Sequence, residues 1–125
     1  MMPLNIESTL KTPEVNFNPT TGDFSIKGMS CVEHALDFYK PIFQWLDVYK
    51  ENPSQKTTLN IQFKYFNTSS AKCILQMLER IAVLPEKSTQ LEVNWFYDVS
   101  DEQMLEDGEN YSEILGIPFN LVEKV

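Results

Sequence analysis

The sequence has few of the residues from which reactive centres and cross-linked scaffolds are built. Among its 125 residues are one histidine, His34, and two cysteines, Cys31 and Cys73. Two cysteines are too few for a disulfide framework, and both thiols are expected to be reduced. The four glycines lie far apart and form neither a phosphate-binding loop nor a dinucleotide fingerprint. These shortages argue against an enzyme and against a nucleotide cofactor.

The sequence also lacks long apolar runs and basic patches. No stretch approaches the ~20 apolar residues that a membrane helix needs, and the first residues show no secretion signal. A cytoplasmic protein without a membrane partner is therefore predicted. The net charge of −8 argues against a nucleic-acid partner, because phosphate backbones are held by lysine and arginine. With 42% hydrophobic residues, the chain suits one domain over residues 1–125, residues 1–12 being an extended N-terminal segment.

The acidic residues are concentrated near the end of the chain. Residues 98–125 contain eight acidic residues and one lysine. Such a surface is typical of a solvated helix face, and it is also compatible with docking of a basic partner. Asp98, Asp101 and Glu102 could gather a metal ion, but acids at a helix start more often cap it, so no metal site is predicted.

Hydrophobic periodicity predicts the first elements. Apolar and polar residues alternate over 14–18 and 23–27 on either side of a Pro-Thr-Thr-Gly turn, which indicates a β-hairpin. Polar residues then recur every three or four positions over 35–51, the pattern of an amphipathic helix. Ser30 and Glu33 are spaced as a capping box for that helix.

The rest of the chain alternates between strand and helix patterns. Pro41 should kink the first helix or start a second segment, because its ring removes a backbone donor. The later elements are a strand over 59–66, a helix closed by Pro85, a strand over 91–98, a short acidic helix over 101–109 and a strand over 117–122.

This order predicts an α/β fold. Strands separated by helices become parallel neighbours joined by right-handed crossovers. The strands keep polar residues on one side, so the helices should cover mainly one face. We therefore predict one domain with a mixed, mostly parallel sheet of about five strands.

Four small polar residues lie where the third strand meets the second helix: Asn67, Thr68, Ser69 and Ser70. One of them must cap the helix, whose first amides have no backbone partner. The others leave a hydroxyl at the carboxyl edge of the sheet, where α/β proteins place their functional groups. A phosphoryl group there would face the positive helix end. The spacing of these residues is compatible both with helix capping alone and with a site of regulatory modification.

The same residues carry a family resemblance. The run Tyr65-Phe66-Asn67-Thr68-Ser69-Ser70-Ala71-Lys72 resembles the Tyr-Leu-Asn-Thr-Ser-Ser-x-Lys signature of the SiaC family of regulatory phosphoproteins. Further matches are Phe38-Tyr39-Lys40-Pro41-Ile42, Trp95-Phe96-Tyr97-Asp98, Met104-Leu105-Glu106-Asp107-Gly108-Glu109 and Ile117-Pro118-Phe119. The resemblance thus extends along most of the chain.

The resemblance implies a fold like the STAS domains of anti-sigma-factor antagonists and a partner-switching role. In such a family a serine/threonine kinase phosphorylates the threonine of the signature, here Thr68, and a PP2C-type phosphatase removes the group. The unmodified form binds a partner, a diguanylate cyclase, which implies cyclic di-GMP signalling and biofilm regulation. Asn67, Ser69 and Ser70 would shape the helix cap and the partner-binding surface. No catalytic residue, cofactor or metal is implied.

One departure and two rival functions qualify this prediction. The family's Ser-Tyr-Pro-Glu-Asn segment is Ser30-Cys31-Val32-Glu33-His34 here, and a different partner is expected if that segment takes part in binding. The first rival is a constitutive scaffold whose acidic end, residues 98–113, docks a basic partner without phosphorylation. The second is a metal-dependent enzyme using Asp98, Asp101 and Glu102.

Overall fold

The computed structural model of the protein describes residues 1–124, in which six strands and three α-helices follow one another along the chain. The strands are β1 (Leu4–Ile6), β2 (Glu14–Phe17), β3 (Asp23–Ser30), β4 (Lys56–Phe66), β5 (Gln90–Asp98) and β6 (Asn120–Lys124). The helices are α1 (Ala35–Tyr49), α2 (Thr68–Ala82) and α3 (Glu102–Leu115), and a 3-10 turn covers Leu84–Lys87.

The six strands form one sheet in the order of the chain. β1, β2 and β3 pair antiparallel, and β3, β4, β5 and β6 pair parallel. The predicted hairpin is thus β2 and β3. Its turn requires glycine, because Gly22 has φ of 77° and a Cβ there would overlap the carbonyl oxygen of Lys56.

Burial along the strands shows that the helices cover one face of the sheet. Leu59, Ile61 and Phe63 of β4 are buried, whereas the alternate residues Asn60 and Gln62 are half-buried. Sequential parallel strands joined by right-handed crossovers carry all connecting helices on the same side. The mixed α/β architecture with one-sided helices is therefore confirmed.

A row of amide side chains crosses the uncovered face. Asn60, Asn94 and Asn120 are register partners on β4, β5 and β6. The Nδ2 of Asn94 donates to Oδ1 of Asn60 at 2.9 Å, and the Nδ2 of Asn120 donates to Oδ1 of Asn94 at 2.9 Å. Because these groups satisfy one another, the open face is stable in contact with water.

Trp95 of β5 occupies the centre of the core under α3. Its side chain is fully buried, and its indole Nε1 donates to the carbonyl oxygen of Met104 at 2.9 Å. The Tyr111 ring lies edge-on to the indole, with 5.6 Å between centroids. Gly108 makes this packing possible, because a Cβ there would lie 2.5 Å from Cδ1 of the indole.

The sheet has one strand more than the five predicted. β1 pairs with β2 through Leu4 and Phe17 at one end and Ile6 and Val15 at the other. The indole of Trp45 also donates to the backbone oxygen of Met2 at 2.8 Å. Three residues are too few for a visible alternation, so this strand depends on pairing that only the folded chain supplies.

The first helix begins at Ala35, as its periodicity predicted, but the predicted capping box was wrong. Ser30 is the last residue of β3, paired with Phe66, and does not cap α1. The N-cap of α1 is His34, which makes no side-chain capping bond. Pro41 lies inside one helix and starts no second segment. Pro41 is on the exposed face, so the carbonyl that loses its donor can turn to water.

The third helix is longer than predicted. α3 continues to Leu115 and ends at Gly116, whose φ of 69° is the left-handed conformation common after helices. Gly108 lies near the end of the predicted helix, 101–109, but in the middle of α3, against Trp95. β6 accordingly begins at Asn120, three residues later than expected.

Candidate functional site

The candidate site is the 67–70 segment, at the junction between β4 and α2. β4 ends at Phe66, Asn67 is the N-cap and α2 begins at Thr68. Parallel pairing places the end of β4 beside the end of β3, since Phe66 is the register partner of Ser30. The Thr68 side chain is exposed at this carboxyl edge of the sheet.

Asn67 and Ser69 are engaged in bonds to the loop before α1. Oδ1 of Asn67 accepts from the Ser70 amide at 2.9 Å, which caps α2, and its Nδ2 donates to the Val32 oxygen at 2.9 Å. Oγ of Ser69 donates to the Glu33 oxygen at 3.1 Å and accepts from the Ala35 amide at 3.3 Å. Both residues therefore fix the first turn of α2 onto the 31–34 loop.

Ser70 points into the core. Its side chain is fully buried, and its Oγ accepts from Oγ of Ser30 at 2.8 Å. Oγ of Ser30 lies 2.7 Å from the hydroxyl of Tyr39, which is also buried. Burial raises the pKa of Tyr39, so this hydroxyl stays protonated over the working range of pH. Ser70 supports the segment and adds no surface to it.

Thr68 is left as the exposed hydroxyl of the segment. Within residues 1–124, no hydrogen bond occupies the Thr68 side chain, whereas each of its three neighbours in the segment has at least one. Spacing placed all four residues together without distinguishing them, and only the family resemblance pointed to Thr68. Only the packing of α2 on β3 and α1 decides which hydroxyl faces outward.

A shallow groove runs beside Thr68 between the starts of α1 and α2. Side chains from both helices and from the loop before α1 line it: Glu33, His34, Leu36, Asp37, Thr68 and Lys72. Two helix N-termini meet here, each with a partial positive charge that favours an anion. Lys72, one turn after Thr68, adds a full positive charge, while Glu33 and Asp37 oppose it. The groove thus brings Thr68 together with the 31–34 loop, where the sequence departs from the family pattern.

The acidic turn after β5 serves as local structure. Oδ1 of Asp98 accepts from the Ser100 amide at 3.0 Å and from its hydroxyl at 2.8 Å, and these bonds lower the pKa of Asp98. Oδ1 of Asp101 accepts from the Met104 amide at 3.0 Å and caps α3. In the described part of the chain no three metal-binding side chains come together. The geometry gives no support to the metal-dependent rival.

The acids of α3 form one exposed face. Glu102, Glu106, Glu109 and Glu113 are all exposed and follow one another at spacings of four, three and four residues. Positions so spaced lie along one side of a helix. α3 contains no lysine or arginine, so this acidic stripe has no basic partner on its own helix.

The buried hydroxyls of Ser30 and Tyr39 below the site were not predicted from the sequence. Their spacing gives no signal, since a serine at a strand end and a tyrosine on a helix meet only through tertiary packing.

Cys31 and Cys73 are both free thiols, and burial raises the pKa of Cys73. Over residues 1–124, the helices are too short or too polar to span a bilayer.

Solved structures identify the class of fold. Apo-SiaC from Pseudomonas aeruginosa matches with a TM-score of 0.85 over 100% of both chains, at 22% identity. A chain from the crystal structure of the diguanylate cyclase SiaD in complex with its activator SiaC, from the same organism, gives a TM-score of 0.87. That match covers 97% of this chain and 99% of the other, at 23% identity. The fold is therefore the SiaC type of α/β domain.

The sequence itself identifies the family. The profile described as SiaC family regulatory phosphoprotein matches residues 6–124, and the chain belongs to this family. An uncharacterised protein of Pseudomonas aeruginosa (strain UCBPP-PA14) is 24% identical over 119 residues, which cover 95% of this chain and 94% of the relative. The family resemblance deduced from the 65–72 run is thereby confirmed.

Proposed function

We propose that this protein is a non-enzymatic cytoplasmic regulator that changes partners when Thr68 is phosphorylated. A serine/threonine kinase adds the phosphoryl group and a PP2C-type phosphatase removes it. The observation that carries the proposal is the contrast within the 67–70 segment. Asn67, Ser69 and Ser70 are held by internal bonds, and Thr68 is exposed with its hydroxyl free among the described residues.

The fold tolerates a phosphoryl group at this position. Its charge of about −1.5 to −2 would face the N-terminus of α2, next to that of α1 and within reach of Lys72. A partner seated over Thr68 would respond differently. Leaving a charge buried and unpaired at an interface costs about 3–5 kcal/mol, against about 8 kcal/mol for a micromolar complex. Phosphorylation would then release the partner without unfolding the protein.

A diguanylate cyclase is the partner that the family favours. The SiaC of Pseudomonas aeruginosa is the activator of the cyclase SiaD, to which it is bound in a solved complex. By the same activity, this chain would regulate cyclic di-GMP signalling and biofilm formation. The 31–34 loop is fastened to Asn67 and Ser69 and lies at the groove, so its altered residues would adjust which cyclase is bound.

Binding of the unmodified and charge-bearing forms to the native cell's diguanylate cyclase tests the proposal. Thr68→Glu should lose binding while its melting temperature stays near that of the wild type, and Thr68→Ala should bind constitutively. Thr20→Glu is the matched control, because Thr20 is exposed in the β2–β3 turn at the opposite edge of the sheet. It should bind as the wild type does.

Phosphopeptide mass spectrometry on protein from its native cell completes the test. A phosphate on Thr68 is expected, and it should disappear when a PP2C-type phosphatase is added. Equal cyclase binding by wild type, Thr68→Ala and Thr68→Glu would refute the switch, as would the absence of phosphate on Thr68 under all growth conditions.

A second candidate rests on the acidic stripe of α3. A constitutive scaffold would use these exposed glutamates to dock a basic partner without modification. Such binding should weaken steeply with ionic strength, because exposed charges are screened beyond ~8 Å at physiological salt. Glu106→Gln with Glu109→Gln should then weaken binding, and Thr68→Glu should leave it unchanged. The opposite pattern would exclude the scaffold.

A further inference from the structure

Three buried hydroxyls form a continuous chain under the 67–70 segment. The chain runs from Tyr39 on α1 through Ser30 at the end of β3 to Ser70 in the first turn of α2. Its two links measure 2.7 Å and 2.8 Å. The three side chains are at most 1% exposed, so no solvent competes for these bonds. The chain thus joins three elements that meet directly beneath Thr68.

The direction of the bonds in this chain is determined. A serine hydroxyl has a single proton. Ser30 donates that proton to Oγ of Ser70, so Tyr39 must be the donor in its bond to Ser30. The raised pKa of Tyr39 keeps that donor in place. Removing the Tyr39 hydroxyl therefore deprives Ser30 of its only donor in the chain and weakens the hold on Ser70.

A second hydroxyl chain lies at the other end of α1. The hydroxyl of Tyr49 is 2.8 Å from Oγ1 of Thr57, which is 2.9 Å from Oγ1 of Thr89. These residues are also buried, and they join the end of α1 to the starts of β4 and β5. This chain lies at the edge of the sheet opposite Thr68. The two chains have the same kind of members, a tyrosine and two smaller hydroxyls, but the Tyr49 hydroxyl also accepts from the Ser54 amide at 3.0 Å.

We propose that the Tyr39–Ser30–Ser70 chain is a positioning device that holds the first turn of α2, and with it Thr68, in place for modification and partner docking. The functional part of this inference rests on the proposed phosphorylation of Thr68; the local effect on α2 does not. Tyr39, Ser30 and Ser70 are positioning residues, since none of them reaches the surface.

The two tyrosines provide a matched test. Tyr39→Phe and Tyr49→Phe each remove one buried hydroxyl from α1, and Tyr49→Phe should lower the melting temperature at least as much, because its hydroxyl is bonded to both Thr57 and the Ser54 amide. Amide hydrogen exchange by NMR then separates a local role from a general one. Tyr39→Phe should speed exchange of the Ser70 and Ala71 amides about five- to tenfold, the ratio expected for the loss of one buried hydrogen bond. Tyr49→Phe should leave both amides at the wild-type rate.

Phosphorylation of Thr68 is measured in the same two variants, Tyr39→Phe and Tyr49→Phe. In native cells, the fraction of protein with phosphate on Thr68 should fall in Tyr39→Phe and remain unchanged in Tyr49→Phe. If wild-type protein has no phosphate on Thr68, the proposed function fails, while the exchange experiment still decides whether the chain holds α2. If Thr68 is phosphorylated equally in all three proteins, the functional part of the inference is overturned and the proposed function stands.

Ser30→Ala is the second variant if Tyr39→Phe does not fold. It removes the middle of the chain, leaves the cap at Asn67 untouched and should also speed exchange of the Ser70 and Ala71 amides. Equal exchange in the wild type and Ser30→Ala, or equal acceleration by Tyr39→Phe and Tyr49→Phe, would show that the chain serves general stability only and would overturn the inference.

Discussion

Asn67→Ala provides a quantitative test of how the 67–70 segment is held in place. The substitution removes two bonds at once, the cap on the Ser70 amide and the link to the Val32 oxygen, both 2.9 Å long. It leaves the helix sequence from Thr68 onward unchanged. The size of the loss therefore reports how strongly the start of α2 is tied to the loop before α1.

The expected loss can be worked out from these two bonds. Replacing an N-cap asparagine by alanine costs about 1 kcal/mol. The second bond, to a half-buried backbone oxygen, contributes about 1 kcal/mol more. A loss of about 2 kcal/mol in a domain of this size lowers the melting temperature by about 8 °C.

Asp101→Ala is the matched control on another helix. The Asp101 side chain caps α3 through the Met104 amide at 3.0 Å and makes no second hydrogen bond in the described part of the chain. Its loss should be about 1 kcal/mol, or about 4 °C. Asp101→Ala also removes a negative charge that is favourable at a helix N-terminus. This extra loss reduces the expected difference in stability between Asp101→Ala and Asn67→Ala, so the comparison is stricter.

Urea denaturation followed by circular dichroism measures both losses on the same scale. Equal loss in the two variants would refute the link between α2 and the 31–34 loop, and no loss in Asn67→Ala would refute the cap as well. Unequal slopes against urea would instead indicate that the unfolding is not two-state and would require calorimetry.

Two further predictions concern α3 and the turn before it. Gly108→Ala should destabilise the protein by about 1–2 kcal/mol, because the overlap with the buried Trp95 indole outweighs the gain in helix propensity. Asn110→Ala, on the exposed side of α3, should not destabilise it. Thermal unfolding of both variants tests this difference. The pKa of Asp98 is lowered by bonds from Ser100, so its contribution to stability is present above the unfolded pKa of about 4 and disappears as pH falls through the lower folded value. The gap in melting temperature between wild type and Asp98→Asn should therefore close between about pH 6 and about pH 2, and a gap that widens would contradict the assignment.

Local patterns were sufficient for most of the fold. The alternation over Leu59 to Phe63 predicted β4 and its buried side, since strand periodicity is set by neighbours in sequence. The polar residues between those positions predicted that one face stays open. The start of α2 also followed from sequence, because a helix without a cap has unpaired amides.

Several features of the fold were decided by contacts between residues distant in sequence. β1 exists because β2 pairs with it, and Gly108 remains inside α3 because Trp95 lies beneath it. Neither partner is visible in a local window. The same is true of Ser30, which spacing assigned to a capping box and the structure assigns to a buried chain with Tyr39.

The sequence by itself determined where a strand passes into a helix and that four small polar residues stand at that point. It also determined the family, through the run around those residues. Only the tertiary structure decided which of these side chains face inward and which one stays exposed, without a hydrogen bond to any residue of 1–124. The reason is physical. The cap from Asn67 to the Ser70 amide is local, but the bonds from Asn67 to Val32, from Ser69 to Glu33 and from Ser30 to Ser70 join residues more than thirty positions apart, and they exist only once α2 packs against β3 and α1.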